Sequence, residues 1–247
     1  MIAEINNKIP SKLSNSEDLL TGNFFGIMRY TNIENTIPCI FEASTFNKAE
    51  DKNIFDKAIK SICKTQDPFI FWPKYEENEI DLIIELSEYV IGVEIKYNSG
   101  LSSDDEVSNL ENNEIQNSCN QLARYSRMLE SKYPFKKKVL LFLAKENNAS
   151  HIYYSVLNRN IISNNVSFGF LSWQEILISL EKYNPSSNEL IIINDLIIYL
   201  NQKGFDTFKS FITKENISRN SFFKFNFNEK FSFQLKRKTS KLFYKYE

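Results

Sequence analysis

The sharpest alternation of apolar and polar positions lies at residues 79–98, EIDLIIELSEYVIGVEIKYN. Two runs rich in β-branched residues, Ile80 to Leu86 and Tyr89 to Tyr97, flank the polar pair Ser87 and Glu88. That pattern predicts a β-hairpin closed by a two-residue loop. With such a loop Leu86 faces Tyr89, and by the same register Asp81 faces Glu94. Side chains alternate faces along a strand, so Leu82, Ile84, Val93 and Ile95 form one apolar face. Asp81, Glu94 and Lys96 fall together on the other, which is expected to carry the chemistry.

Helical spacing organises other segments. In SNSEDLLTGNFFGIMRY, Ser16 is placed to cap a helix with Glu17 and Asp18 in its first turn and Leu20, Phe24, Ile27 and Met28 on its buried side. Ile115, Cys119, Leu122 and Leu129 recur at helical intervals. On that predicted helix Gln121 and Tyr125 are four apart and share a face, with Ser118 beside them. KKKVLLFLAK reads as a buried strand, and HIYYSVL, beginning at His151, as another. Ser172 and Glu175 form a capping box for a following helix; Ser186 and Glu189 form a second, ahead of ELIIINDLIIYLNQK. Gly204 stands where a C-cap glycine belongs, and the helix before it is apolar on most sides, so deep packing is expected. Near the C-terminus Phe223, Phe225 and Phe227, then Phe231, Phe233 and Leu235, alternate with polar residues about a short loop, which predicts an aromatic β-hairpin.

Composition narrows the class. With 247 residues, 42% of them hydrophobic, the chain can bury a sizeable core. Residues 1–160 are expected to form the core, with 161–247 a helical and hairpin extension packed on it as one compact unit. No run of about 20 apolar residues predicts a membrane span, and MIAEINNKIPSK lacks a signal-peptide core, so a cytoplasmic location is expected. Cys39, Cys63 and Cys119 are too scattered for a zinc site or disulfide framework. A single histidine, His151, excludes sites built on several imidazoles, and no glycine-rich nucleotide loop or nucleophile elbow occurs. The net charge of −1 gives no overall basic field, leaving Lys136 to Lys138 and the tail with Lys236, Arg237 and Lys238 as local patches for nucleic acid.

The chemistry follows from the hairpin. Directly opposed residues have Cβ atoms about 4.5–5.5 Å apart, and two carboxylates at that separation repel unless a cation lies between them. Magnesium takes oxygen ligands and retains waters, so Asp81, Glu94 and a backbone carbonyl, that of Ile95, make a suitable protein share. Lys96 is then placed to orient or deprotonate a bound water, an arrangement suited to in-line attack on a phosphodiester.

An aspartate followed about a dozen residues later by Glu-x-Lys resembles the PD-(D/E)xK phosphodiesterase superfamily of restriction-endonuclease-like nucleases. Ile80 stands where many members carry proline. The resemblance implies an α/β fold with a mixed central sheet flanked by helices, Mg2+ or Mn2+ on Asp81 and Glu94, and Lys96 serving the attacking water. QLARY resembles the Gln-x-x-x-Tyr element of one branch, which implies that Gln121 and Tyr125 shape the site and contact DNA. Members often add a glutamate from an N-terminal helix; Glu17 is the candidate, with Glu42 and Glu50 behind it. The implied setting is prokaryotic DNA defence, restriction or repair. The alternatives from other classes are a catalytically weak binding or scaffold module, as a homo-oligomer or with a partner protein, and an RNA-directed nuclease.

Overall fold

The computed structural model describes residues 1–8, 10, 16–63, 67–75, 78–105 and 118–206. The chain divides into two units, Met1–Thr207 and Phe208–Glu247. The predicted aromatic hairpin, Lys236, Arg237, Lys238 and Ile115 lie outside the described residues.

The first unit is α/β. In chain order its helices are α1 (Ile2–Ile5), α2 (Glu17–Met28), α3 (Ile33–Phe41), α4 (Ala49–Lys60), α5 (Gln121–Lys132), α6 (Glu146–Arg159), α7 (Trp173–Lys182) and α8 (Leu190–Gln202). Its strands are β1 (Thr45–Phe46), β2 (Phe69–Phe71), β3 (Lys74–Tyr75), β4 (Asn78–Glu79), β5 (Leu82–Glu85), β6 (Tyr89–Ile95), β7 (Lys137–Ala144) and β8 (Val166–Ser172). A mixed six-stranded sheet runs in the order β1-β8-β7-β6-β5-β2, while β3 and β4 pair separately. The central β6, β7 and β8 are parallel, and β1, β5 and β2 join antiparallel at the flanks.

The hairpin forms in the predicted register. Leu82 pairs with Val93 and Glu85 with Val90, and the Leu86 amide donates to the Tyr89 carbonyl. The expectation of one apolar and one polar face is corrected, because helices cover both faces. Leu82, Ile84, Val93 and Ile95 pack in a core that includes residues of α2, α3, α4, α7 and α8. Ile83 and Val90 pack in a second core with Leu122 and Leu129 of α5 and Tyr153 of α6. Parallel strands joined by crossover helices are covered on both sides, so the polar trio can occupy only the end of its face.

Two other expectations change. His151 begins no strand: HIYYSVL lies inside α6, whose buried Ala149, Tyr153 and Val156 are spaced i, i+4, i+7. That face packs Tyr153 against Phe168, and tertiary burial overrides the strand propensity of Tyr and Val. The strand beside β7 is instead β8, so residues 161–206 belong to the same sheet unit as the first 160. Gly169 of β8 faces Phe46 of β1, where an added Cβ would lie 2.5 Å from the phenylalanine ring. Also, α5 begins at Gln121, with the Asn120 side chain accepting from the Leu122 and Ala123 amides, so Ser118 and Cys119 precede it.

The capping signals of α2 and α7 hold, whereas α8 starts at Leu190 with Glu189 as its N-cap and no side-chain capping bond, so the predicted Ser186 box lies ahead of the helix. Ser16 Oγ accepts from the Leu19 amide and Ser172 Oγ from the Glu175 amide. Glu189 Oε2 accepts from Ser186, and Gly204 closes α8 with φ of 73°. That helix is less deeply packed than expected: Ile193, Leu196, Tyr199 and Leu200 are buried, but Ile191 is 74% exposed. One stripe meets α7 and α1, and the opposite stripe is left outward. Among the described residues no helix is long and apolar enough to cross a membrane.

Gly169→Ala is expected to cost about 1–3 kcal/mol through overpacking against Phe46. Gly26→Ala, inside α2 with nothing within 4 Å of the new Cβ, should gain about 0.5–1 kcal/mol. Urea unfolding of both variants checks the pair; equal effects would contradict the strand placement.

Candidate active site

The predicted residues converge at the carboxyl end of β6. This edge of the sheet exists because Lys96 donates its amide to Leu143, so the alternation of peptide groups turns the Ile95 N–H and C=O away from β7. Asp81 precedes β5 there, and its Oδ2 accepts the Ile95 amide at 2.7 Å. The Ile95 carbonyl lies on that same edge.

Glu94 is 1% exposed and Lys96 7%. The Lys96 ammonium lies 2.8 Å from Glu94 Oε1 and 3.4 Å from Glu17 Oε2. Gln121, at the first turn of α5, donates from Nε2 to Glu94 Oε1 at 2.8 Å and to the Tyr125 hydroxyl at 2.9 Å. Tyr125 donates in turn to the Glu79 carbonyl at 2.6 Å, which fixes the segment leading into Asp81. Gln121 Oε1 accepts the Ser102 amide at 2.9 Å, so the amide orientation is set from both ends.

Glu17 reaches this point from the N-terminus of α2. Its Oε1 accepts the Tyr97 amide at 3.2 Å as well as the Ser99 hydroxyl. Glu42 follows the last turn of α3 and Glu50 opens α4; both are exposed on those helices, and Glu17 is the glutamate the fold brings to Lys96. The predicted set Asp81, Glu94, Ile95, Lys96, Gln121, Tyr125 and Glu17 is thus brought together. Ser118 instead bonds Asp105.

Burial governs the electrostatics. It raises the Asp81 carboxyl from its ordinary range to about 6, against the Ile95 hydrogen bond and the Lys96 charge. Burial, then repulsion from Asp81, raises Glu94 well above the usual carboxylate value. Two charged carboxyls in these dry surroundings repel, which favours a proton on the pair when no cation is bound. Burial disfavours the Lys96 ammonium, yet attraction to Glu94, Glu17 and Asp81 outweighs it and holds the lysine protonated well above its ordinary range. Burial pushes the Tyr125 phenol up to about 12.

Two carboxylates and a main-chain carbonyl on one edge match the oxygen donors of a hard divalent cation that keeps several waters. The buried, mutually repelling carboxyl pair fits such an ion, whose charge would offset the repulsion. Among the described residues no group of three or more His, Cys, Asp or Glu is arranged as a metal cage. An open cleft of about 610 Å3, lined by Glu17, Asp18, Asn98 and Ser99, leads to this end of the sheet.

Several supporting residues carry no legible sequence signal. Trp173 Nε1 donates to the Lys96 carbonyl at 3.2 Å, and the Tyr97 hydroxyl to the Lys203 carbonyl at 2.9 Å, so the chain beyond β6 is clamped. Arg159 of α6 pairs with both Asp104 and Asp105, tying down the segment before α5. Lys145, directly after β7, donates to Asn98 Oδ1 at 2.7 Å on the rim of the cleft. A lysine at the carboxyl end of a parallel strand could have been flagged, because ligands of open α/β sheets bind there.

Lys136 to Lys138 are not a free basic patch. The parallel register sets Lys137 opposite Tyr89, at the other end of the sheet from Glu94. Lys136 pairs with Glu85 and caps the Leu86 carbonyl, and Lys138 is buried on the carbonyls of Pro134 and Lys136.

No family model, curated protein or solved structure matches this chain.

With metal removed, the folded Asp81 binds protons up to about pH 6, whereas the unfolded chain releases them near 3.8. The unfolded state therefore binds fewer protons in that window, and stability falls as pH rises through it. Asp81→Asn, which keeps an acceptor for the Ile95 amide, should be more stable than the native chain by on the order of 1–3 kcal/mol at neutral pH. The difference should vanish near the lower end of the window. Urea titrations in chelator across the acidic range check this; parallel pH profiles would refute it.

Proposed function

We propose that this chain is a divalent-metal-dependent nuclease of restriction-endonuclease-like architecture, hydrolysing phosphodiester bonds of DNA. The observation that carries the reading is the joint placement of Asp81, Glu94 and Lys96 at one strand end, with Gln121 bonded to Glu94. The mixed sheet and the order of hairpin, Gln-x-x-x-Tyr helix and parallel strand support it, since they agree with the fold that the sequence resemblance implies. DNA defence, restriction or repair is the setting in keeping with that resemblance.

Magnesium or manganese held by Asp81, Glu94 and the Ile95 carbonyl would neutralise phosphate charge and acidify a water. The protein groups have separate tasks. Gln121 and Lys96 both donate to Glu94 Oε1, which fixes the rotation of that carboxyl. Asp81 is held by the Ile95 amide, so the two acidic side chains need little reorganisation to bind. Lys96, as an ammonium, orients a water by donating a hydrogen bond and places positive charge beside the phosphate; its raised affinity for the proton favours this over acting as a base. Glu17 steers the ammonium from the cleft side. Tyr125 keeps its proton on the Glu79 carbonyl and acts as a positioning group.

Purified protein with Mg2+ or Mn2+ is expected to nick or degrade DNA, with cleavage abolished by chelator. Asp81→Asn and Lys96→Met should reduce the rate by about 100-fold or more while remaining folded. Parallel digestions of duplex DNA, single-stranded DNA and RNA check the substrate. Equal activity in the variants would sink the assignment, and cleavage of RNA alone would move the substrate to RNA.

A further inference from the structure

The parallel register pairs Ile95 with Leu143, so two residues on, Lys145 stands beside Tyr97 at the edge of the sheet that carries Asp81, Glu94 and Lys96. It lies one strand spacing, about 4.8 Å, and one residue beyond Lys96. The reaction as proposed gives this lysine no task.

Its ammonium is fixed in place. Nζ donates to Asn98 Oδ1 at 2.7 Å and lies 5.0 Å from the centre of the Tyr97 ring and 5.8 Å from that of Phe205. Those rings are themselves held: Tyr97 meets Phe205 edge-on at 5.5 Å, and Phe205 stacks at 5.3 Å on Trp173, whose indole N–H takes the Lys96 carbonyl. The platform under Lys145 is therefore continuous with the clamp on Lys96. Asn98 belongs to both settings, since it also lines the open cleft with Glu17, Asp18 and Ser99.

Local structure does not explain a cation here. Lys145 is the N-cap of α6 and makes no side-chain capping bond. That position favours Ser, Thr, Asp or Asn, and the positive end of the helix dipole disfavours an ammonium. Nor does an ion pair compensate it: among the described residues its partners are one neutral amide oxygen and two ring faces. Glu146, next in the chain, and Asp206, next to Phe205, are exposed and do not pair with it. Other cations around the site have carboxylates, Lys96 in Glu94 and Glu17, and Arg159 in Asp104 and Asp105. A residue that breaks a local rule is expected where function requires it.

We propose that Lys145 is a substrate-binding residue of this site, its ammonium holding a backbone phosphate of the nucleic-acid strand beside the bond being cut. The identity of the anion rests on the nuclease reading. The need for one rests on a fixed ammonium with neutral partners at the helix end least suited to it. An ammonium carries three donors, and Asn98 takes one. Its charge also offsets the repulsion that a polyanion meets from Glu17 and Asp18 in the cleft.

The test measures anisotropy of a fluorescent single-stranded oligodeoxynucleotide with the whole chain in chelator, so that binding is read without turnover. Lys145→Met keeps an unbranched stem over the rings and is expected to weaken binding about tenfold. It should also reduce the slope of log affinity against log salt by about 0.7, the contribution of one phosphate contact on a single strand. Lys145→Arg should recover most of the affinity. Urea unfolding should show Lys145→Met at least as stable as the native chain, because the ammonium opposes the helix dipole. With Mg2+ the same variant should raise KM more than it lowers kcat, as expected for binding shared by ground and transition states. Unchanged affinity and salt slope in Lys145→Met, or no binding by the native chain, overturns the inference. Cleavage with Mg2+ at an unchanged KM in the variant removes the role of Lys145 and leaves the nuclease. Binding that depends on Lys145 without cleavage removes the nuclease and leaves the phosphate contact.

Discussion

The structure is organised around a repulsion: Asp81 and Glu94 meet at the end of β6, in surroundings dry enough to raise the proton affinity of both. Burying like charges is costly, and the surrounding groups respond to that cost. The Ile95 amide holds one carboxyl, and Gln121 and Lys96 hold the other. Trp173 and Tyr97 fix the backbone that carries Lys96, while Arg159 anchors the loop that positions Gln121. The two hydrophobic cores on either side of the sheet supply the stability that such a site consumes.

Charge is divided spatially around this centre. The cleft has Glu17 and Asp18 in its lining, and Lys145 is fixed at its rim. A chain with a net charge of −1 can attract a polyanion only through locally placed cations. The lysines most visible in the sequence, Lys136 to Lys138, are engaged at the far end of the sheet.

The hairpin was legible because its two-residue turn and its alternation encode register locally, and register alone places Asp81 against Glu94. Gln121 and Tyr125 were legible for a similar reason, since four residues on a helix make one face. Contacts between distant segments were not. Arg159 pairs with aspartates more than 50 residues earlier, and Glu17 meets Lys96 across 79. HIYYSVL misled because Tyr and Val favour strands in general, while here Tyr153 is held by packing on Phe168 and Phe170. β8 does carry an alternation, Val166, Phe168 and Phe170 against Ser167 and Gly169, but it is short and stands beside the stronger strand propensity of HIYYSVL.

Manganese binding tests the central claim most directly. Calorimetric titration of Mn2+ into the native chain, Asp81→Asn and Glu94→Gln should reveal a saturable site in the native protein that both substitutions remove, with protons released on binding at mildly acidic pH. Binding that persists unchanged in both variants, or no binding to the native chain, would contradict the account.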